Sequence, residues 1–241
     1  MAHVDAVVFD LFETLVTEYD PHWKPGPSVA SRLGVSDESF TRVWRSRYAE
    51  RMTSVVDFRD VLRDVRAAGK PEAEATDADV AVEQVVQTLY AERLAAKARP
   101  LRRVDVGVLD ALEKLRASGL KLGLISNCSV EDVAGWDDSP LAGFFDSVVF
   151  SYRVGLAKPE PAIYRHALDD LGVRPGRAAF VGDGGSNELA GAAAVGMRSS
   201  CAMWFLNQWP ADHQARHADH RYGFPLLNSP ADLPLAFGPP T

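Results

Sequence analysis

The stretch Val4-Asp5-Ala6-Val7-Val8-Phe9-Asp10-Leu11-Phe12-Glu13-Thr14-Leu15 decides how this chain is read. Val4, Ala6, Val7, Val8 and Phe9 form a short, nearly continuous apolar run, the pattern of a strand buried on both faces. It ends on an aspartate. In open α/β sheets the ligand lies beyond the carboxyl ends of the strands, so Asp10 is a candidate site residue by position alone.

Working outward, the pattern after Pro100 alternates between helix and strand. Strands are expected at 121–125, near 147–151, at 178–181 and near 199–204. Helices are expected at 104–118, 161–171 and 186–195, with Gly119, Gly172 and Gly196 at their ends. Such alternation implies a doubly wound parallel sheet, a Rossmann-like α/β core. Residues 18–99 lack any strand pattern. Pro21, Pro25, Gly26 and Pro27 mark a loop. A helix over 36–52 is predicted from the Ser36 cap, the acidic Asp37 and Glu38, and an apolar stripe of Phe40, Val43, Trp44, Tyr48 and Met52. Two more helices are expected at 56–68 and 76–98. The expected organisation is therefore a core from 1–17 and 100–241 with a helical cap inserted at 18–99. The stretch from Pro210 onward reads as loop or loosely packed tail, with Trp204 and Trp209 as packing residues around the last strand. His213, His217 and His220, spaced i, i+4, i+7, read as a solvated face.

Composition narrows the function class. The 241 residues are 46% hydrophobic and 24% charged, with a net charge of −7, which fits a globular protein and argues against nonspecific binding to nucleic acid or an anionic membrane. Two cysteines, Cys128 and Cys201, make neither a disulfide framework nor a metal spacing. The first apolar run is too short for a signal segment, and no stretch approaches the ~20 apolar residues of a membrane span. The expectation is a cytoplasmic protein, monomer or homodimer, acting on a small, anionic molecule.

Four segments carry the chemistry in order: Val8 to Leu15, then Leu124-Ile125-Ser126-Asn127, then Lys158-Pro159, then Phe180-Val181-Gly182-Asp183-Gly184-Gly185-Ser186-Asn187-Glu188. Together they resemble the haloacid dehalogenase-like hydrolase superfamily, with the helical insert where that family carries a small cap. The resemblance implies a phosphatase that works through an aspartyl phosphate. Asp10 would be the nucleophile, since a carboxylate attacking phosphorus splits one hard step into two. It implies Mg²⁺ held by Asp10, the Phe12 carbonyl, Asp183 and Glu188, because magnesium takes oxygen ligands. It implies Lys158 as a catalytic cation, and Ser126 and the Asn127 backbone as hydrogen-bond donors to the transferring group.

One position departs from the phosphatase pattern. Family phosphatases place a second aspartate two residues after the nucleophile to protonate the leaving group, and here that residue is Phe12. Such acid–base help is worth ~10²–10⁴-fold. Either the leaving group departs unprotonated, or Glu13 or a cap residue supplies the proton, or the substrate is not a phosphate ester. The 2-haloacid dehalogenases of the family carry an aromatic residue there, a Ser-Asn pair like Ser126-Asn127, and a cap arginine in a Trp-Arg context resembled by Trp44-Arg45. Arg45 is therefore a candidate substrate contact. Gly182-Asp183 is the phosphatase-like form. A dehalogenase acting through an ester of Asp10, and a binding module on an inactive core, are the alternatives.

Overall fold

A computed structural model describes residues 3–69, 77–215 and 218–238. Its centre is a six-stranded, all-parallel sheet of β1 (Ala6–Phe9), β2 (Lys121–Ser126), β3 (Ser147–Phe150), β4 (Ala178–Gly182), β5 (Arg198–Ala202) and β6 (Leu226–Leu227), in the order β3-β2-β1-β4-β5-β6. The strand from the opening motif lies in the middle: Val8 stands opposite Gly123 on one side and Phe180 on the other.

Alternation along β1 explains why nearly every residue in it is apolar. Val7 and Phe9 enter one core with Leu122, Leu124, Val181 and Leu112, while Ala6 and Val8 enter the other with Ile125, Phe180, Ile163 and Leu189. Successive strand side chains point to opposite faces, and both faces here are covered.

The segment between β1 and β2 is helical: α1 (Val29–Leu33), α2 (Asp37–Ser46), α3 (Tyr48–Thr53), α4 (Phe58–Ala68) and α5 (Asp77–Arg102), followed by α6 (Val106–Ala117) against the sheet. Leu33, Phe58, Leu62, Val65, Val86 and Leu89 bury one another in a cluster separate from the two sheet cores. The predicted Ser36 cap forms, its hydroxyl accepting from the Ser39 N–H. Two expectations change. The single helix over 36–52 breaks at Arg47 (φ −91°, ψ 0°), separating α2 from α3. Helix α5 continues past the expected end at 98 and carries Pro100 within it. Leu101 accounts for that extension: its side chain is fully buried in a sheet core and its carbonyl accepts from the Ser139 hydroxyl at 2.6 Å.

On the opposite face of the sheet from α6, the chain continues through α7 (Ser151–Val154) to α8 (Pro161–Leu171) and α9 (Glu188–Ala194). The proline-rich tail is more ordered than its composition suggests. Leu226–Leu227 adds the edge strand, and the helix Asp232–Phe237 buries Leu233 and Phe237 on the α6 side. Among the described residues, no helix is long and apolar enough to cross a membrane.

Candidate active site

Strands β2 and β3 lie to one side of β1, and β4, β5 and β6 to the other. The reversal between β1 and β4 opens a crevice at their carboxyl ends. Asp10 follows β1, and its N–H donates to the Val181 carbonyl of β4 at 2.9 Å. Lys158, which precedes α8, ion-pairs with Asp10 and, at 2.5 Å, with Glu188 at the start of α9. Asn127 fixes that lysine's backbone from both sides: its amide donates to the Lys158 carbonyl and accepts the Lys158 N–H, each at 2.8 Å. Ser126 ends β2. Its hydroxyl is buried and finds no hydrogen-bond partner among the described residues. An unsatisfied buried donor is costly, and a site that binds an acceptor is one reason to retain it.

Carboxylate oxygens of Asp10, Asp183 and Glu188 come within 4.8 Å of one another. Glu188 is almost wholly buried, held by Lys158 and by the Gly184 N–H at 3.2 Å. Glycine at 182 is what admits it, since a Cβ there would meet Glu188 Oε1 at 2.0 Å. Gly191 plays a similar part on the next turn, where a Cβ would stand 2.7 Å from the Pro159 carbonyl and 2.6 Å from the Tyr164 hydroxyl. It lets α9 approach the segment that carries Lys158.

Burial pushes the Asp10 and Glu188 carboxyls upward, Glu188 strongly, and the repulsion among the three acids adds to it. Burial also opposes the Lys158 charge, but Asp10 and Glu188 outweigh that and hold its ammonium above the usual lysine range. One ammonium thus pairs with two of the three carboxyls, Asp10 and Glu188. An all-oxygen set with surplus negative charge fits a hard divalent cation such as Mg²⁺, which would bring the buried carboxyls back down.

The turn after Asp10 is held from far away in the chain. Phe12 pairs with Val16 in an isolated bridge, and Glu13 takes a left-handed backbone (φ 60°). Thr17, the Glu18 N–H and the Trp209 indole all donate to the Glu13 carboxylate, at 2.7, 2.9 and 2.7 Å. Burial pushes the Glu13 carboxyl up against the pull of these three donors, which fix it in the turn. The Trp204 indole donates to the Thr14 carbonyl at 2.9 Å. Both tryptophans, read from sequence as packing residues, are hydrogen-bond anchors. The histidine-rich stretch also reaches the site: Arg221 donates to the Asp183 carbonyl at 2.9 Å, and the His220 ring faces the Gly184 carbonyl. His217 lies outside the described residues.

Arg45, the candidate from the Trp-Arg pair, is exposed on α2 and is not brought to this cluster. Other cations of the helical segment reach the loop after Ser126-Asn127 instead. Arg51 lies under the Trp44 ring, 3.8 Å from its centroid, and pairs with the buried Glu131 at 3.2 Å. From α5, Arg93 reaches Glu131 at 3.0 Å and Asp132 at 2.8 Å, and Lys97 reaches Asp132 at 3.2 Å and Glu18 at 2.8 Å. Glu131 and Asp132 sit on the loop that begins with Ser126-Asn127. The stripe along α5 contained the clue: Val86 and Leu89 are apolar, while Arg93 and Lys97 carry charge where the helix passes over the sheet domain.

Comparison with known proteins agrees with the geometry. The family model for haloacid dehalogenase-like hydrolases matches residues 4–196. Haloacid dehalogenase-like hydrolase domain-containing protein 3 of Mus musculus is 31% identical over 220 residues, covering 83% of each chain. Phosphoserine phosphatase of Thermus thermophilus is 37% identical over 97 residues, which span 39% of this chain and 36% of that one. The solved 2-haloacid dehalogenase of Pseudomonas syringae is 25% identical with a TM-score of 0.57, covering 96% of this chain and 97% of the other. The chain belongs to the haloacid dehalogenase-like hydrolase family.

Proposed function

We propose that the protein is a metal-dependent phosphatase acting on a small phosphorylated molecule through a phosphoryl-aspartate on Asp10. The observation that carries this reading is the cluster of Asp10, Asp183 and Glu188 around Lys158, beside the unsatisfied Ser126 hydroxyl, at the sheet's reversal point. Family members with phosphatase names, the phosphoserine phosphatase above among them, act on substrates of this class. We assign Asp10, Asp183, Glu188 and the Phe12 carbonyl to Mg²⁺, which when bound supplies Lewis-acid stabilisation of phosphoryl oxygens.

The protein's own groups supply the rest. Asp10 attacks phosphorus with the Oδ not occupied by Lys158. Ser126 donates its unsatisfied hydroxyl to a phosphoryl oxygen, which gives that buried group a partner. Lys158 keeps Asp10 oriented and balances charge, and Asn127 keeps Lys158 in place. The helical segment, residues 18–99, acts as the cap that closes over the site through the Arg51, Arg93 and Lys97 ion pairs.

A second reading rests on Phe12, the aromatic residue at the dehalogenase position, and on the full-length likeness to the Pseudomonas syringae dehalogenase. A paired assay separates the two. Turnover of p-nitrophenyl phosphate with magnesium, lost in EDTA, is the expected result. Halide release from 2-chloropropionate in EDTA, without phosphatase turnover, would replace the phosphatase reading.

A further inference from the structure

Phe12 offers no proton to a leaving group, and the neighbouring Glu13 carboxylate is bound into the turn by Thr17, the Glu18 N–H and Trp209. What stands over Phe12 is a cation from the cap. The Lys97 Nζ lies 5.0 Å from the centroid of the Phe12 ring. Resting on the phosphatase reading, we infer that Lys97 is the leaving-group contact of this enzyme, placing a fixed positive charge and an N–H donor where the leaving oxygen departs.

Three features support the assignment. Lys97 is not a loose surface lysine: its side chain is 17% exposed and is held by Glu18 at 2.8 Å and Asp132 at 3.2 Å. Glu18 lies where the helical segment begins, just past the turn after Asp10, and Asp132 on the loop after Ser126-Asn127. The ammonium is therefore seated from both sides. An ammonium has three N–H donors. Glu18 and Asp132 hold the ammonium as ion pairs, and three donors exceed two such partners, so an N–H can serve an oxygen arriving above Phe12. The flat apolar ring beneath Lys97 offers no competing acceptor, and its face favours a cation.

The chemistry balances without a carboxylic acid. The Asp10 Oδ–P bond forms as the bond between phosphorus and the leaving oxygen breaks, and that electron pair stays on the departing oxygen. Lys97 stabilises the resulting anion by charge and hydrogen bond, and the anion takes its proton from water. A water molecule then attacks phosphorus as the Asp10 Oδ–P bond breaks and gives up its proton to solvent, releasing phosphate and restoring Asp10. A fixed donor aimed at developing negative charge is typically worth ~10²–10³-fold in rate.

The test uses the full chain with magnesium and a series of aryl and alkyl phosphates of rising leaving-group pKa. Lys97→Met is expected to lose ~10²-fold in kcat/KM on alkyl phosphates and under ~3-fold on p-nitrophenyl phosphate, so the leaving-group dependence steepens. Lys97→Arg should recover most of the alkyl rate, since it returns charge and donors. Thermal melting of each variant checks folding, and Lys97→Gln serves if the methionine variant is unstable. Equal losses across the series would mean that Lys97 only seats the cap, and no loss would mean that it does neither; either result overturns the inference. A wild-type protein inactive on every phosphate but releasing halide would instead overturn the phosphatase reading beneath it.

Discussion

Asn127 and Lys158 form a closed pair in which one side-chain amide satisfies both backbone groups of the lysine, donating to its carbonyl and accepting from its N–H at 2.8 Å each. The lysine ammonium in turn touches Asp10 and Glu188. Asn127→Ala leaves two buried backbone groups unpaired, at ~1–3 kcal/mol each. The expected outcome is a fall in kcat of ~10–100-fold with a lowered Tm. Asn127→Asp keeps the acceptor and loses the donor, so its kcat should lie between those of the wild type and the alanine variant.

Asp10→Asn keeps the shape of the side chain and removes its charge. Turnover is expected to fall by at least ~10³-fold, with an unchanged far-ultraviolet circular dichroism spectrum. A variant that retains half of wild-type kcat would exclude a covalent role for Asp10.

Gly182→Ala tests how Glu188 reaches the acid cluster. The added methyl would meet Glu188 Oε1 at 2.0 Å, so the carboxylate must move. Metal affinity should weaken by ~10–100-fold, the usual cost of disturbing the groups that orient a ligand set. A magnesium titration of activity reads this directly: maximal rate should return at high magnesium if only the ligand geometry has shifted. EDTA should abolish wild-type activity, and added Mg²⁺ should restore it.

Asp132 makes the ion pairs between the helical segment and the loop after Ser126-Asn127 sensitive to pH. Burial works upward on its carboxyl, but Lys97, Arg93 and the Ser129 hydrogen bonds outweigh that and hold it below the ordinary aspartate value of 3.8. A depressed folded-state pKa contributes stability that is fully present above the unfolded value and is lost as pH falls through the folded one. The cap contacts of Asp132 should therefore hold at pH 5 and weaken below about pH 4. Trp44, which packs on Arg51 of the same network, should report the loss through its fluorescence. Asp132→Asn should weaken the cap contacts at neutral pH and remove the acid-dependent part of the change.

The sheet was legible in the sequence because each central strand is almost uniformly apolar and ends at a glycine, serine or aspartate. Val7, Val8 and Phe9 leave little alternative to a strand covered on both faces. The acid cluster was legible for the same reason, since strand ends converge. Lys158 and Asn127 were found by motif, but their mutual clamp was not, because a side chain binding another residue's backbone leaves no periodic trace. Trp204 and Trp209 read as packing groups, since an indole N–H has no sequence signature for its acceptor. Arg45 stood out because it follows Trp44, whereas the cations that reach the core are Arg51, six residues on, and Arg93 and Lys97 on another helix. Which cap face turns inward depends on how α2 through α5 pack together, and adjacency in the chain does not encode that.

The turn that follows Asp10 is pinned by Trp204 and Trp209, partners 190 and 196 positions further along the chain. The groups that lock it are encoded after all four motifs. A chain cut before these tryptophans would keep every motif and lose both fastenings, so the local order of the turn beside Asp10 depends on the far end of the sequence.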